Sequence, residues 1–526
     1  MVERLRSSPY WPAGELPVDM IQTHISIVLL GRQHVLKLKK PVDFGFLDYT
    51  TLEKRRLACE AEINLNRRLC PDAYIGVQVI READGRLTLS EDGSILDYGV
   101  LMKRLPDDFM LDRLIARDEV TESMIDRVAD RLGAFHREAR RGPDIDKYGE
   151  IEMIRANWEE NFTQTSSYID RTIRASEFDT IRTWVNNWIE VNKKKLSERV
   201  RESHICDGHG DVRSESICIT NGICIFDCIE FNERFRYTDV ASEVAFLAMD
   251  IDARGRPDLG YYFAERYQAR TGDGQLFDLL PFYRCYRAYV RGKVLSFRLD
   301  ESEFSKGERE AAATRARSYF HLAHRYAAPL DNPTVIIVTG LSGTGKTSLA
   351  RAIAGEMGLR VVSADAVRKS IFEMGNGEYE YGEGPYSSQA NRITYEKMIE
   401  IGKESLKKYG GVVLDATFRR TTDRAMAREM ALKAGANLRF IECKLSPESV
   451  RLRLEKRALL KEGLSDATWT TYSHQRNEFK PLEDLPSREH LVVDTTGSLS
   501  VTSHSVCDWL RENDATDDLP IRHSMT

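Results

Sequence analysis

Two kinds of hydrophobic pattern divide the chain. Short strand-like runs open it, His24-Ile-Ser-Ile-Val-Leu-Leu30 and His34-Val-Leu-Lys-Leu-Lys39. A helical stretch follows over residues 52–69, then alternating segments around 77–80 and 87–89. Beyond Asp107 the pattern is mostly helical, best formed over 125–137 and 181–196. One hairpin interrupts it, because Asn221-Gly222 separates the tetrads Ile217-Cys-Ile-Thr220 and Ile223-Cys-Ile-Phe226. Asn-Gly between two apolar tetrads is the strongest short-range hairpin signal. From residue 334 the pattern changes. Apolar strands at 335–338, 360–363, 412–414, 438–444 and 491–493 are interleaved with helices at 348–357, 366–372 and 448–461. That alternation predicts a parallel, doubly wound sheet.

Between the two patterns, Pro329 and Pro333 bracket a polar turn immediately before Thr334-Val-Ile-Ile-Val-Thr339. Proline disfavours helix before it and cannot join a central ladder, so residues 326–333 read as a linker. The expected organisation is a first domain over 1–325, a second over 334–510, and a polar, disordered tail over 511–526. The fold class is α+β in front and α/β behind.

Composition narrows the function classes. A chain of 526 residues is longer than one hydrophobic core usually serves. The formal net charge of −6 gives no global basic field for nucleic acid or anionic membrane. The nine cysteines form no obvious disulfide framework, and the pattern shows neither a charged-then-apolar leader nor an apolar run of ~20 residues. The expectation is a reduced, cytoplasmic protein with no membrane partner; the oligomeric state is left open. Cys206, Cys218, Cys224 and Cys228 lack the paired spacing of common zinc sites and read as structural.

The chemistry concentrates at two places. Gly340-Leu-Ser342-Gly343-Thr344-Gly345-Lys346-Thr347 is a complete phosphate-binding loop between an apolar strand and the helix that opens Ser348-Leu-Ala-Arg. Its glycines let backbone N–H groups face phosphate oxygens, its lysine reaches the terminal phosphates, and Thr347 offers a hydroxyl to Mg²⁺. The helix N-terminus adds partial positive charge under the anion. Asp365 and Arg368 share one face of the next helix's first turn. There a carboxylate could deprotonate an acceptor hydroxyl while the arginine holds acceptor or phosphate. The bland alternative for Asp365 is an N-cap. Asp415 ends an apolar strand and could act on Mg²⁺. Arg453 and Arg457, spaced i,i+4, either point at transferred charge or form a solvated face.

These residues resemble the P-loop kinases of the polynucleotide kinase, zeta-toxin and gluconate kinase type, over roughly 333–500. The resemblance implies ATP and Mg²⁺ as cofactors, Asp365 as the group that activates the acceptor, and Arg368 with Arg453 or Arg457 as phosphate clamps. The resemblance leaves the acceptor open, since the group spans sugars, antibiotics, nucleotide sugars and nucleic acid 5′-hydroxyls; the leading expectation is a hydroxyl on a small molecule, a sugar or an aminoglycoside-like compound. Two rivals stand: a nucleic acid 5′-hydroxyl kinase, disfavoured by the acidic charge, and a regulatory ATPase switch with no phosphorylated product.

The second place is His209-Gly-Asp211-Val-Arg213-Ser-Glu-Ser216, then the hairpin, then Phe226-Asp227-Cys-Ile-Glu230. The hairpin returns Asp227 towards Asp211, and two carboxylates beside a turn suit one acting on an acceptor and one on Mg²⁺. Lys37 lies on a strand with Glu62 on the following helix, and Lys39 alternates onto the same strand face, leaving the choice of lysine open. This part resembles the aminoglycoside-phosphotransferase-like kinases over about 20–325, which implies a bilobal protein-kinase-like fold. It further implies catalytic-base character for Asp211, metal binding for Asp227, ATP contact for Lys37, and an adenine-facing segment at Tyr98–Lys103 that includes Met102. Asp239 would be a structural acid. Where that family places a metal-binding Asn this chain has Ser216, and Arg213 stands where a His is common. The front domain is therefore expected to be either a second kinase or a degenerate ligand-binding module.

Overall fold

The computed structural model describes residues 19–45, 47–88, 91–302, 304–372, 382–460, 468–482 and 485–514. The chain falls into two compact units. One comprises residues 1–120, 127–157 and 192–247, the other 121–126, 158–191 and 248–526.

In the first unit six strands pair antiparallel: β1 (Asp19–Gln22), β2 (Ser26–Leu30), β3 (His34–Lys39), β4 (Tyr74–Ala83), β5 (Arg86–Thr88) and β6 (Ser94–Lys103). Their spatial order is β1-β2-β3-β6-β4-β5. The period of two in β3 decides which residues meet which layer. Leu36 and Leu38 join Leu29 and Ile80 in one core cluster. Lys37 and Lys39 alternate onto the other side, where they meet the helix Leu52–Asn66. That helix starts where Thr51 accepts the Lys54 N–H (3.2 Å), and it packs Cys59 and Ile63 with Tyr74 and Val100. Residues 98–103, expected to face adenine, lie in the inner strand β6, with Met102 paired between Val35 and Tyr74.

Four short strands follow. β7 (Ile205–Asp207) pairs antiparallel with Tyr237–Asp239, and the Asn-Gly hairpin forms from β8 (Ile217–Ile219) and β9 (Ile223–Ile225), with Cys218 opposite Cys224. Tyr237–Asp239 is β10. The expectation of fully reduced cysteines needs correcting, because Cys70 and Cys224 form a disulfide with Cα atoms 4.6 Å apart. Sequence separation hid it. Cys70 lies just beyond the helix Leu52–Asn66 and Cys224 in β9, and only the packing of hairpin on helix brings them together.

In the second unit β11 (Thr334–Thr339), β12 (Val361–Ser363), β13 (Gly411–Asp415), β14 (Asn437–Lys444) and β15 (His490–Asp494) form a wholly parallel sheet, ordered β12-β13-β11-β14-β15. Every residue of β11 is buried, as its unbroken apolar run requires of a central parallel strand. The chain leaves β11 into the phosphate loop at the point where the order of neighbouring strands reverses, the position at which such sheets bind ligands.

The same unit contains the helices Pro257–Thr271, Leu276–Phe297 and Lys306–Tyr326, which pack on the helix Lys346–Met357. Arg284 Nη1 donates to Gly355 O (3.1 Å), and the Val361 N–H donates to the Tyr261 hydroxyl (3.0 Å). A Cβ on Gly358 would stand 2.8 Å from Pro281, and φ there is +69°. Of the tail expected over 511–526, residues 511–514 are held instead. The helix Leu499–Glu512 runs through the first two, and Asp514 Oδ2 accepts the Asp331 N–H at 2.5 Å. Residues 515–526 lie outside the described residues. No described helix is long and apolar enough to cross a membrane.

Candidate functional site

The loop between β11 and the helix Lys346–Met357 holds three glycines at positive φ: Gly340 (+140°), Gly343 (+79°) and Gly345 (+87°). Space as well as conformation demands the first two. A Cβ would lie 2.5 Å from Cys443 O at Gly340 and 2.9 Å from Val450 Cγ1 at Gly343. Neighbouring elements brace the loop. The Ser342 N–H donates to Gln475 Oε1 (2.9 Å), and the Thr495 hydroxyl donates to Thr344 O (2.7 Å). The Thr344 hydroxyl closes the loop on Leu341 O (2.7 Å), and Lys346 Nζ donates to that same carbonyl (2.8 Å). Ser348 follows in the first turn of the helix.

Thr347 and Asp415 meet. The threonine hydroxyl donates to Asp415 Oδ2 at 2.8 Å. Burial pushes the Asp415 carboxyl above its ordinary value, against the pull of Lys346 and Thr347. Burial likewise pushes the Lys346 ammonium down, opposed by Asp415 and Asp365. A hydroxyl and a buried carboxylate on one spot, with the carboxylate short of compensating charge, fit a hard divalent cation. Mg²⁺ would be held there by Thr347 and Asp415.

The register explains the next pair. Ser363 in β12 lies beside Asp415 in β13, so Asp365, two residues on, enters the same edge. Arg368 Nη1 donates to Asp365 Oδ1 (2.9 Å), and its Nη2 donates to Asn391 Oδ1 (2.9 Å). The guanidinium also lies 4.8 Å from the Tyr386 ring centroid, and its Nε is a buried donor with no partner among the described residues. Ser363, not Asp365, stands at the N-cap of the helix. Asn391 and Tyr386 went unnoticed in the sequence because nothing local marks them; they come from the segment around the helix Ser388–Tyr409. Phe418, just past Asp415, is fully buried at φ +41°, with its N–H donating to the Tyr395 hydroxyl (3.0 Å).

The helix Pro447–Leu460 carries Arg453 and Arg457. Arg453 reaches the loop: its Nη2 donates to Thr495 O (2.5 Å), and its Nη1 lies 3.1 Å from where a Gly345 Cβ would stand. Arg457 is within electrostatic reach of Lys346.

The front site is equally dense. Both lysines of β3 reach Glu62: Lys37 at 2.9 Å from Oε1, Lys39 through Oε2. Lys37 also bonds Asp227 Oδ1 (2.7 Å), while Lys39 bonds Glu230, whose other partner is the Tyr49 hydroxyl (2.7 Å). Lys37 is thus the lysine that joins the helix glutamate to Asp227, and Lys39 is a buried counter-ion beneath it. The Lys37 ammonium is the largest influence holding Asp227 below the ordinary carboxylate range.

His209 links the two acidic loops. Its Nδ1 accepts the Asp211 N–H (3.3 Å) and its Nε2 lies 3.0 Å from Phe226 O, which assigns the neutral tautomer with the proton on Nε2. Burial favours that neutral form. Glu243, which carried no functional signal in the sequence, is the keystone. It is fully buried, its Oε1 accepts the N–H groups of His209 (2.7 Å) and Gly210, and its Oε2 meets His136 Nε2 at 2.8 Å. Burial opposes its ionisation, yet these donors hold its pKa down at about 2. A Cβ on Gly210 would lie 2.8 Å from Phe235 O.

Asp211 is engaged. Arg213 Nε and Nη2 donate to its two oxygens at 2.9 and 2.8 Å, a bidentate clasp, and Nη1 holds Glu215. Ser216 is buried, with its N–H on Arg213 O (2.9 Å) and its carbonyl accepting the Phe226 N–H (3.0 Å). Asp239 is clasped by Arg199 at 2.9 and 2.7 Å.

Residues 335–482 match the AAA domain family. Among solved structures, the chain is similar to a gluconokinase from Sinorhizobium meliloti 1021 (17% identity, TM-score 0.26, 35% of this chain and 94% of that one). It is also similar to the APS kinase CysC of Mycobacterium tuberculosis, solved with AMPPNP and APS (22% identity, TM-score 0.25, 35% and 99%). Along its length it aligns with uncharacterized proteins of Mycobacterium tuberculosis (strain ATCC 25618 / H37Rv) and Mycobacterium bovis (strain ATCC BAA-935 / AF2122/97). Each is 32% identical over 459 residues, covering 86% of this chain and 88% of the relative. With its P-loop domain and this near full-length match, the chain belongs to the family of these mycobacterial proteins.

Proposed function

We propose that the P-loop domain is an ATP- and Mg²⁺-dependent phosphotransferase acting on a hydroxyl of a small molecule, of the sugar or aminoglycoside-like kind. The observation that carries this reading is the meeting, at one sheet edge, of Lys346, Thr347 and Asp415 with Asp365 and its Arg368 partner. A nucleotide switch needs the first set only; the second is what an acceptor requires.

In this mechanism the loop N–H groups and Lys346 bind the phosphates, and Thr347 and Asp415 hold the cation. Mg²⁺, when bound, offsets charge on the phosphate oxygens. Asp365 receives the acceptor's proton as the acceptor oxygen bonds to the γ-phosphorus. The bond from that phosphorus to the bridging oxygen breaks, and ADP leaves. Arg368 orients Asp365, and Asn391 fixes Arg368. Arg453 and Arg457 supply positive charge beside the loop.

For the first part of the sequence, residues 1–325, we propose an aminoglycoside-phosphotransferase-like module that binds ligand without turnover. In it Lys37, Glu62 and Met102 would meet nucleotide, and Asp227 with Ser216 would meet Mg²⁺. The clasp of Arg213 on Asp211 supports this, because a base already bound bidentately by a guanidinium is a poor proton acceptor. A cytoplasmic location agrees with ATP as donor.

A radiolabelled-ATP screen over sugars, aminoglycosides, nucleosides and oligonucleotides tests both halves. Lys346→Ala should abolish transfer, Asp365→Asn should lose transfer far more than nucleotide binding, and Asp211→Ala should leave product formation unchanged. ATP hydrolysis at one rate with every acceptor, and no labelled product, would overturn the kinase reading. Activity that follows Asp211 and survives Lys346→Ala would move the chemistry to the front unit.

A further inference from the structure

Away from both sites, Glu177, His321 and His324 present ligand atoms that all lie within 4.8 Å of one another. All three belong to the unit that holds the parallel sheet. Glu177 stands in the first turn of the helix Ala175–Arg201; the two histidines are three apart in Lys306–Tyr326, which puts both rings on one face. The rings are inclined by only 22°, with centroids 6.3 Å apart. Glu177 Oε1 lies 3.0 Å from His321 Nδ1, while its Oε2 accepts the Arg174 N–H at 3.3 Å. The Glu177 side chain is 9% exposed and that of His321 50%.

An ion pair accounts for Glu177 with His321. It does not account for a second imidazole brought to the same carboxylate. Three atoms no more than 4.8 Å apart share a central point about 2.8 Å from each (4.8/√3), so bonds of ~2.0–2.2 Å need side-chain shifts below about 1 Å. We propose that Glu177, His321 and His324 form a zinc site. Two imidazoles and one carboxylate suit zinc, whereas Mg²⁺ and Ca²⁺ take oxygen ligands. The Arg174 N–H orients the carboxylate from behind, as outer-shell partners of metal ligands do. The half-exposed side leaves the fourth position to water. The nearby guanidinium groups of Arg325 and Arg511 do not compete, since Glu356 holds both, at 2.6 and 3.0 Å. His504 Nε2 stands 3.7 Å from the same glutamate. The ion would tie the start of one helix to the helix that ends at Tyr326, just ahead of β11.

The test uses the full-length chain without an affinity tag, stripped with EDTA and titrated with zinc chloride. Elemental analysis after desalting should give one zinc per chain, and cobalt(II) should produce the visible absorption of a four- or five-coordinate site. His321→Ala, at an exposed position that spares folding, should weaken zinc binding at least ~100-fold, and Glu177→Gln should remove the cobalt spectrum. Stripping should lower the thermal midpoint of the wild type and leave that of His321→Ala unchanged. The proposal falls if zinc fails to saturate below about 100 μM, or if the His321→Ala/His324→Ala double variant keeps one zinc per chain. It falls equally if cobalt shows only the faint spectrum of a six-coordinate ion.

Discussion

Reduction of Cys70–Cys224 is expected to weaken the front unit by a measurable, calculable amount. The bond closes a loop of 154 residues. In the chain-entropy treatment a loop of that length removes about 17 cal/mol/K from the unfolded ensemble, about 5 kcal/mol at 25 °C, while measured contributions usually reach ~2–4 kcal/mol. The disulfide connects the end of the helix bearing Glu62 to the hairpin that leads, three residues later, to Asp227. Its loss should therefore loosen the Lys37–Glu62–Asp227 cluster specifically. Protein equilibrated with oxidised glutathione and alkylated in guanidine should carry seven labels, rising to nine after reduction. Thermal and urea unfolding of the wild type should shift with a phosphine reductant by ~2–5 kcal/mol. Cys70→Ala removes buried volume as well as the bond, so its own midpoint is a poor guide; its insensitivity to the reductant is the readout. A wild-type transition that reductant leaves in place, or nine labels without reduction, would refute the reasoning.

Three shorter predictions follow from single contacts. Glu243 has its folded pKa held at about 2, below the ordinary value of 4.5. Its stabilisation is therefore present above pH ~4.5 and lost as pH falls through ~2. That lowering of the pKa corresponds to about 3 kcal/mol, and Glu243→Gln should lose much of it at pH 7 and flatten the acid limb of a pH–stability profile. Arg351, buried in the helix after the phosphate loop, pairs with Glu122 (2.5 Å) and Glu265 (3.7 Å). Arg351→Ala removes a shared partner from two acids that are each about a quarter exposed and should cost about 1–2 kcal/mol by thermal unfolding. Gly345→Ala places a Cβ at φ +87° and 3.1 Å from Arg453 Nη1. That substitution should cost ~1–2 kcal/mol and weaken nucleotide binding more than tenfold by calorimetry.

What the sequence disclosed follows from what is local. The parallel sheet was legible because apolar runs, most continuous at 335–338 and 412–414, alternate with helical stretches, and the hairpin because Asn221-Gly222 separates two apolar runs. Lys346, Thr347 and Asp415 could be named because a loop motif and a strand end mark them. Glu243 could not: it lies in an apolar helix, and only the packing of His136 and of the loop 208–211 against it gives it three partners. Arg213 was noticed as a departure, but that it would clasp Asp211 depends on side-chain geometry two residues away. Cys70–Cys224 and the Glu177–His321–His324 cluster are products of long-range packing with no pattern at either end.

The two prolines at 329 and 333 mark where the pattern changes type, and packing does not stop there. The helix Lys346–Met357 buries one side against the sheet, and its other side is covered by residues that precede the prolines. Arg284 donates to Gly355 O, Arg325 pairs with Glu356, and Tyr261 receives the Val361 N–H. Just past it, the Arg360 guanidinium lies 3.8 Å from the Phe277 ring centroid. A chain beginning at Asp331 keeps the whole phosphate loop yet exposes that side, including Arg351, Gly355 and Glu356, which are buried in the intact protein. Such a fragment should aggregate or melt well below the intact protein, while one beginning upstream that retains the helices 257–326 should hold more of its stability. Equal midpoints for the two fragments by scanning calorimetry would show that the helices merely rest on the P-loop domain. Unequal ones would mean that the nucleotide-binding helix depends for its position on residues from the first two-thirds of the sequence, and that ligand affinity measured on the isolated domain understates that of the protein.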